Sequence, residues 1–210
     1  MIHVRRLIDN SRKKEIIDLS KVTEFANPAP LGLMGFGMTT ILLNLHNLGL
    51  FKLNSMILAM GIFYGGVAQI IAGIMEFRKG NTFGTTAFTS YGLFWLSLVF
   101  QIVFPIVFPI SAPELAPDNA AWAAYLLLWG FFTLIMFFGT LRTNRGLQLV
   151  FLTLAALFLL LGAAVYLPGL LSVAALDGIF CGFTAFYLSL AEVLNEGREK
   201  SVLPIGPMNP

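Results

Sequence analysis

The sequence carries little charge for its length. Only 11% of the 210 residues are Asp, Glu, Lys or Arg, whereas soluble domains contain about 25%. Apolar residues make up 57% of the chain and the mean hydropathy is +0.81. This balance indicates an integral membrane protein. The net charge of only +2 favours no nucleic-acid partner.

Cysteine and histidine are also scarce. The single cysteine, Cys181, excludes an internal disulfide and a cysteine-based metal cluster. The two histidines, His3 and His46, belong to no metal-binding pattern, so we expect no metal and no cofactor. His46 is interpreted as an interfacial residue in preference to a proton carrier. Since no nucleophile–base pair is visible, an enzyme is the least supported class of function.

Charged residues divide the chain into apolar stretches long enough to span a membrane. The charge-free runs are 25–51, 53–75, 80–113, 119–141, 146–176 and 178–191. They predict an all-α integral membrane fold of six transmembrane helices around a central pore. The predicted helices lie near 29–48, 54–77, 84–107, 121–141, 146–166 and 170–194. The very short loop near Pro168 predicts that the fifth and sixth helices are antiparallel neighbours.

The basic residues predict the orientation. Twelve of the 13 lie in the first 24 residues or after the second, fourth and sixth helices, and Lys52 alone lies at the other side. The positive-inside rule therefore predicts cytoplasmic termini and a multi-pass protein of a bacterial or archaeal plasma membrane. We divide the chain into a charged tail (1–25), a six-helix permease domain (26–196) and a cytoplasmic C-terminal tail (197–210). Residues 1–24 lack the apolar core of a cleavable signal peptide and form either an interfacial amphipathic helix or a solvated tail.

The stretch 27–40 opens the first helix with an unusual composition. Asn27 is a plausible N-cap, and the two prolines that follow suit a first helical turn. Gly32, Gly35 and Gly37 allow another helix or a solute to approach the backbone closely. From residue types alone, a capped helix with a small-residue packing face is favoured over close approach of a solute.

Polar side chains within apolar helices are further candidates, because hydrocarbon makes them costly. Asn44, Gln69 and Thr89 lie within or near predicted spans. Gln69 is surrounded by small residues, so either interhelical hydrogen bonding or a solute path accounts for it. Glu76 and Glu192 lie at the cytoplasmic ends of their helices and are interpreted as solvated or paired interfacial charges. Two Gly-x-x-x-Gly motifs, at 61–65 and 178–182, predict close helix packing within or between subunits.

The segment 27–33, NPAPLGL, is the signature of the acetate uptake transporter family, which this chain resembles. The likeness continues through MGFGMTTILLNLHN (34–47), ILAMGIFYGGVAQIIAG (57–73), KGNTFGTTAFTSYG (79–92), FFGTL (137–141) and EVLNE (192–196). The resemblance implies a hexamer with one path in each subunit, which carries acetate and often succinate across the plasma membrane. It also implies a hydrophobic constriction of Phe36, Tyr91 and Leu154. Leu154 and Ala185 match positions that tune substrate size.

These patterns predict a permease or channel for short mono- or dicarboxylates. Membrane lipid is an expected partner, and protons are candidate co-substrates. Candidate pathway residues besides the constriction are Asn27, Pro28, Leu33, Thr39, Asn44, Gln69, Thr89 and Ala185. The alternative is a six-helix sensor or structural protein without transport. Whether protons are coupled or the path is a simple channel stays open, because protonation of the substrate itself would remove its charge.

Overall fold

The computed structural model describes residues 25–109, 115–198 and 200–208. The charged tail of residues 1–24, for which an amphipathic helix or a solvated tail was predicted, lies outside the described residues. Residues 110–114, which follow the third predicted helix, also lie outside the described residues.

The described part of the chain forms six long helices. They are α1 (Ala29–Asn47), α2 (Ser55–Lys79), α3 (Thr82–Val107), α4 (Asn119–Thr140), α5 (Arg145–Ala164) and α6 (Leu171–Asn195). Helices α2 to α6 are long and apolar enough to cross a membrane. Each predicted boundary lies within two residues of the observed one, and the prediction of an all-α membrane fold is confirmed. The protein is therefore a multi-pass membrane protein.

Polar side chains fix where four of these helices begin. Asn54, Asn81, Asp118 and Asn144 each accept a hydrogen bond from a backbone N–H of the first turn, which satisfies a donor that the helix leaves free. Between α2 and α3 the chain reverses at Gly80, whose φ of +79° suits a residue without a side chain.

The start of α1 differs from the prediction. Pro28, and not Asn27, occupies the N-cap position. The Asn27 side chain lies one residue earlier, and its Oδ1 accepts a hydrogen bond from the backbone N–H of Ala29 at 3.3 Å. Pro28 has no N–H and its side chain offers no acceptor, so the amide of Asn27 supplies the capping oxygen from the preceding position.

The helices follow one another around a ring, and the ring closes where α6 packs along α1. At this closure the backbones approach each other closely, since a Cβ atom on Gly37 would lie 2.8 Å from the carbonyl oxygen of Gly182. Aromatic side chains join α3 to α4 and α5, with Phe94 edge-on to Trp129 and Phe158 at centroid distances of 5.2 and 5.0 Å. Helices α5 and α6 are neighbours, as the short loop predicted.

Helix α2 changes its winding in the middle. Residues Met60–Ala68 form a π-helix, flanked by α-helical turns on both sides. This segment contains the first Gly-x-x-x-Gly motif, whose Gly65 packs against the ring of Trp95 on α3. The second motif packs Gly182 against α1. Both motifs therefore serve helix packing within the chain.

Candidate functional site

Two cavities lie inside the helix ring, one towards each end. We name them inner and outer after the orientation predicted from the basic residues. The inner cavity, of about 560 Å³, begins near Asn27 and Glu192. The outer cavity, of about 480 Å³, lies beside His46 and Pro168. Each is large compared with a four-atom carboxylate skeleton, so both have room for solute and water.

Two side chains border both cavities, Phe36 from α1 and Leu154 from α5. Tyr91 from α3 borders the inner cavity beside them. The rings of Phe36 and Tyr91 lie 6.3 Å apart and are tilted by 47°. The three residues assigned to a constriction by motif therefore meet at the boundary between the cavities, and all three are buried.

Tyr91 is held in place by α4 and α5. Its hydroxyl donates a hydrogen bond to Oγ1 of Thr133 at 3.0 Å, and Thr133 in turn donates to the carbonyl of Trp129. The Tyr91 ring meets the rings of Phe132 and Phe151 edge-on. Because its polar tip is engaged by Thr133, Tyr91 presents an apolar ring to its neighbours.

At the mouth of the inner cavity, Asn27 connects two charged residues. Its amide nitrogen donates to Oε2 of Glu192 at 2.9 Å, and its amide oxygen accepts from Nζ of Lys79 at 3.0 Å. The first residue of the NPAPLGL signature thereby joins α1 to α2 and α6. Glu192 is half-buried, and its partner here is a neutral amide.

Glu76 differs from its predicted environment, because it is completely buried and not solvated. Its Oε2 accepts a hydrogen bond from Nδ2 of Asn81 at 2.7 Å. Gly84 leaves the space that this carboxyl occupies, since a Cβ atom there would lie 2.9 Å from Cδ of Glu76. The carboxyl group therefore lies beside the first turn of α3, which Asn81 caps.

Gln69 borders the inner cavity and is buried. Its amide nitrogen donates to the carbonyl of Gly65 on its own helix at 2.7 Å. Of the two alternatives left open for Gln69, this hydrogen bond is within α2 and not between helices. The acceptor oxygen of Gln69 remains beside the cavity wall.

The outer cavity has a neutral polar side. Nδ2 of Asn44 donates to the carbonyl of Thr40 at 2.9 Å, and Nδ1 of His46 lies 2.9 Å from the carbonyl of Phe51. Two buried groups bordering this cavity, Oγ1 of Thr40 and Nε1 of Trp95, have no hydrogen-bond partner among the described residues. An oxygen-rich solute would satisfy both.

The other candidate residues divide into two groups. Leu33 borders the inner cavity. Pro28, Thr39, Thr89 and Ala185 border neither cavity. Thr39 donates from α1 to the carbonyl of Met60 at 3.3 Å, and Ala185 lies against Gly37 where α6 meets α1. These residues hold the helices that carry the cavity walls.

Several inner-cavity residues received no role from the sequence. Asn81, Thr143 and Asn195 all border it. The C-terminal segment reaches it too, because Asn195 accepts hydrogen bonds from the N–H groups of Val202 and Leu203 and places Ile205 in the wall. Asn81 and Asn195 lie within KGNTFG and EVLNE, which belong to the segments that carry the family resemblance. Their place in these segments is the only sequence signal that points to a role.

Comparison with known proteins relates this arrangement to membrane transport. The GPR1/FUN34/yaaH family model matches residues 13–209. The Escherichia coli succinate-acetate/proton symporter SatP is 57% identical, over 88% of this chain and 97% of its own. Acetate permease A of Emericella nidulans is 34% identical, over 87% and 66%. The solved structure of the bacterial acetate channel SatP superposes with a TM-score of 0.83 at 56% identity, over 87% of this chain and all of that one.

Proposed function

The chain belongs to the GPR1/FUN34/yaaH family, and on this premise we propose that it carries acetate and related short carboxylates, succinate among them, across the cell membrane. The observation that supports this most directly is the meeting of two cavities at Phe36 and Leu154. A sensor or structural protein has no need of opposed cavities separated by one thin layer of apolar side chains.

The apolar boundary determines which form of the substrate passes. An unperturbed carboxyl with a pKa near 4 is neutral in about one molecule in a thousand at pH 7, so protonation costs about 4 kcal/mol. Transfer of a carboxylate ion into a medium of low dielectric constant costs on the order of 20 kcal/mol in the idealised case. Passage of the neutral acid is therefore the cheaper route, and net uptake brings one proton with each carboxyl group. This supports proton-linked transport.

Each cavity has a part in this route. In the outer cavity, the Thr40 hydroxyl and the Trp95 N–H supply neutral donors to a carboxyl group. No Asp, Glu, Lys or Arg among the described residues borders that cavity. In the inner cavity, Lys79, Asn27 and Gln69 offer polar groups to the substrate after it has passed the apolar layer.

The location and assembly are part of the same proposal. The distribution of basic residues supports a cytoplasmic position for both termini. Large apolar side chains on the outer face of the ring, such as Phe63, Phe77 and Ile135, are exposed and suit contact with lipid or with neighbouring subunits. We propose a homohexamer with one path in each subunit, acting as a transporter without catalytic activity.

Uptake of labelled acetate into liposomes that contain the purified protein tests the proposal. We expect uptake above that of protein-free liposomes, and competition by unlabelled acetate and succinate. Uptake equal to that of protein-free liposomes would favour the sensor or structural alternative.

A further inference from the structure

The carboxyl group of Glu76 has no role in the proposed passage of the neutral acid. It lies at the wall of the inner cavity, with none of its surface exposed. One oxygen is held by Asn81. The other, Oε1, is buried and has no hydrogen-bond partner in residues 25–109, 115–198 and 200–208. A buried carboxyl oxygen without a donor is costly. Such an oxygen calls for an explanation, and a role in proton transfer is one.

The other charged groups of this cavity are differently placed. Glu192 accepts a hydrogen bond from Asn27, and Lys79 donates to the same side chain. Glu196 borders the cavity but is exposed. These three are the charged residues besides Glu76 that border the inner cavity within the described part of the chain. Among these four residues, Glu76 alone is fully buried and has a carboxyl oxygen without a hydrogen-bond partner in the described part of the chain.

The local structure leaves Oε1 of Glu76 without a hydrogen-bond donor. Asn81 uses its amide nitrogen for Glu76 and its amide oxygen for the N–H of Gly84 at 3.1 Å. Both ends of the Asn81 side-chain amide are thus engaged, and one hydrogen bond holds the carboxyl group of Glu76. The adjacent Gly84 provides the space, since any larger residue would contact Cγ and Cδ of Glu76.

We propose that Glu76 accepts the proton of the substrate acid once the acid has passed the Phe36–Leu154 boundary. The inference rests on the proposed function. The O–H bond of the neutral acid breaks, its electron pair stays on the substrate oxygen, and the proton bonds to Oε1 of ionised Glu76. The products are a carboxylate anion and a neutral Glu76, which returns the proton to water entering from the cytoplasm. The released anion no longer passes the apolar boundary easily, which favours net uptake.

The test compares Glu76→Gln with Glu196→Gln in right-side-out membrane vesicles, with vesicles lacking the protein as the blank. The external pH is held constant and the internal pH is varied between about 6 and 8, a range in which the free substrate acid ionises in water. For the wild type and Glu196→Gln we expect the initial rate of acetate uptake to rise with internal pH. For Glu76→Gln we expect a rate that is about tenfold lower and independent of internal pH. This loss is smaller than the roughly 100-fold or more typical of positioned acid–base groups, because water also accepts protons.

Other outcomes decide against the inference. A Glu76→Gln protein with the wild-type rate and pH dependence overturns it. An equal loss of uptake rate in Glu196→Gln also overturns it, because that result would mean that the total charge of the cavity controls the rate. If Glu76→Gln does not assemble, Glu76→Asp decides. A shortened carboxyl should slow uptake and keep the pH dependence, whereas a wild-type rate contradicts proton acceptance by Glu76. If the wild type itself takes up no acetate above the blank, the proposed function fails and the inference fails with it.

Discussion

Phe36 on α1 and Leu154 on α5 both border the inner and the outer cavity. They are 6% and 3% exposed, respectively, and come from two helices that both pack against α6. Tyr91 closes the same layer from α3. A solute that moves between the cavities by the shortest route passes these side chains, so the width and apolarity of this layer should determine selectivity.

Leu154→Ala should widen this layer and raise lactate uptake relative to acetate uptake. The control is Leu157→Ala, which removes an equally buried leucine of the same helix that borders only the outer cavity. Both changes should destabilise the protein, by about 2–5 kcal/mol on the precedent of soluble proteins. Uptake of both acids, measured with the amount of assembled protein, separates the two roles. Equal lactate-to-acetate ratios in both variants would remove Leu154 from the selectivity layer.

Trp95→Phe should weaken substrate binding in the outer cavity. The substitution keeps a large ring and removes the buried N–H that has no partner among the described residues. A hydrogen bond to a charged group contributes about 1.5–3 kcal/mol, so the KM for acetate should rise roughly 10- to 100-fold. Trp122→Phe, at a less buried tryptophan of the same cavity, is the control. An unchanged KM together with a more stable protein would mean that the Trp95 N–H contacts no substrate.

Gly182→Ala should reduce the amount of folded protein. The new Cβ atom would lie 2.8 Å from the carbonyl oxygen of Gly37, a backbone atom that cannot move without separating α1 from α6. Gly169→Ala is the matched control, because nothing lies within 4 Å of a Cβ atom there. Detergent-solubilised yield and thermal unfolding of the two variants provide the measurement. Equal stability would show that α1 and α6 are not in close backbone contact in the membrane.

The proposed orientation is tested with introduced cysteines in intact cells. Ser111→Cys should react with an impermeant thiol reagent, and Thr143→Cys should not, because the proposal places Thr143 on the cytoplasmic side beside the inner cavity. Cys181 is buried and provides little background. Labelling of Thr143→Cys alone would reverse the orientation.

Much of the fold could be predicted because its helices are separated by charges. Arg78 and Lys79 end α2, Arg142 lies between α4 and α5, and Arg145 begins α5, as the cost of charge in hydrocarbon requires. The positions of Phe36, Tyr91 and Leu154 came from motifs, and the structure places them in one layer. Their role in selectivity remains a prediction.

Other features depend on tertiary structure and have no local signal. The π-helical segment Met60–Ala68 ends directly before Gln69, whose amide nitrogen donates to the Gly65 carbonyl within that segment. The burial of Glu76 depends on the space beside Gly84, which lies across the α2–α3 turn. The polar groups of the C-terminal segment are satisfied by Asn195 and by the backbone of the α4–α5 connection, where the N–H of Met208 donates to the carbonyl of Thr143 at 2.9 Å. None of these contacts follows from hydropathy.

In the proposed route, a carboxylic acid crosses the layer of Phe36, Tyr91 and Leu154 in its neutral form. The most direct measurement is the initial rate of labelled acetate uptake by liposomes containing the protein, at external pH values between about 5 and 8, after subtraction of uptake by protein-free liposomes. Over this range the neutral fraction of an unperturbed carboxyl changes about a thousandfold. We expect the protein-dependent rate to rise as the external pH falls. A protein-dependent rate that is the same at pH 5 and pH 8 would show that the anion itself crosses. It would contradict passage of the neutral acid through this layer.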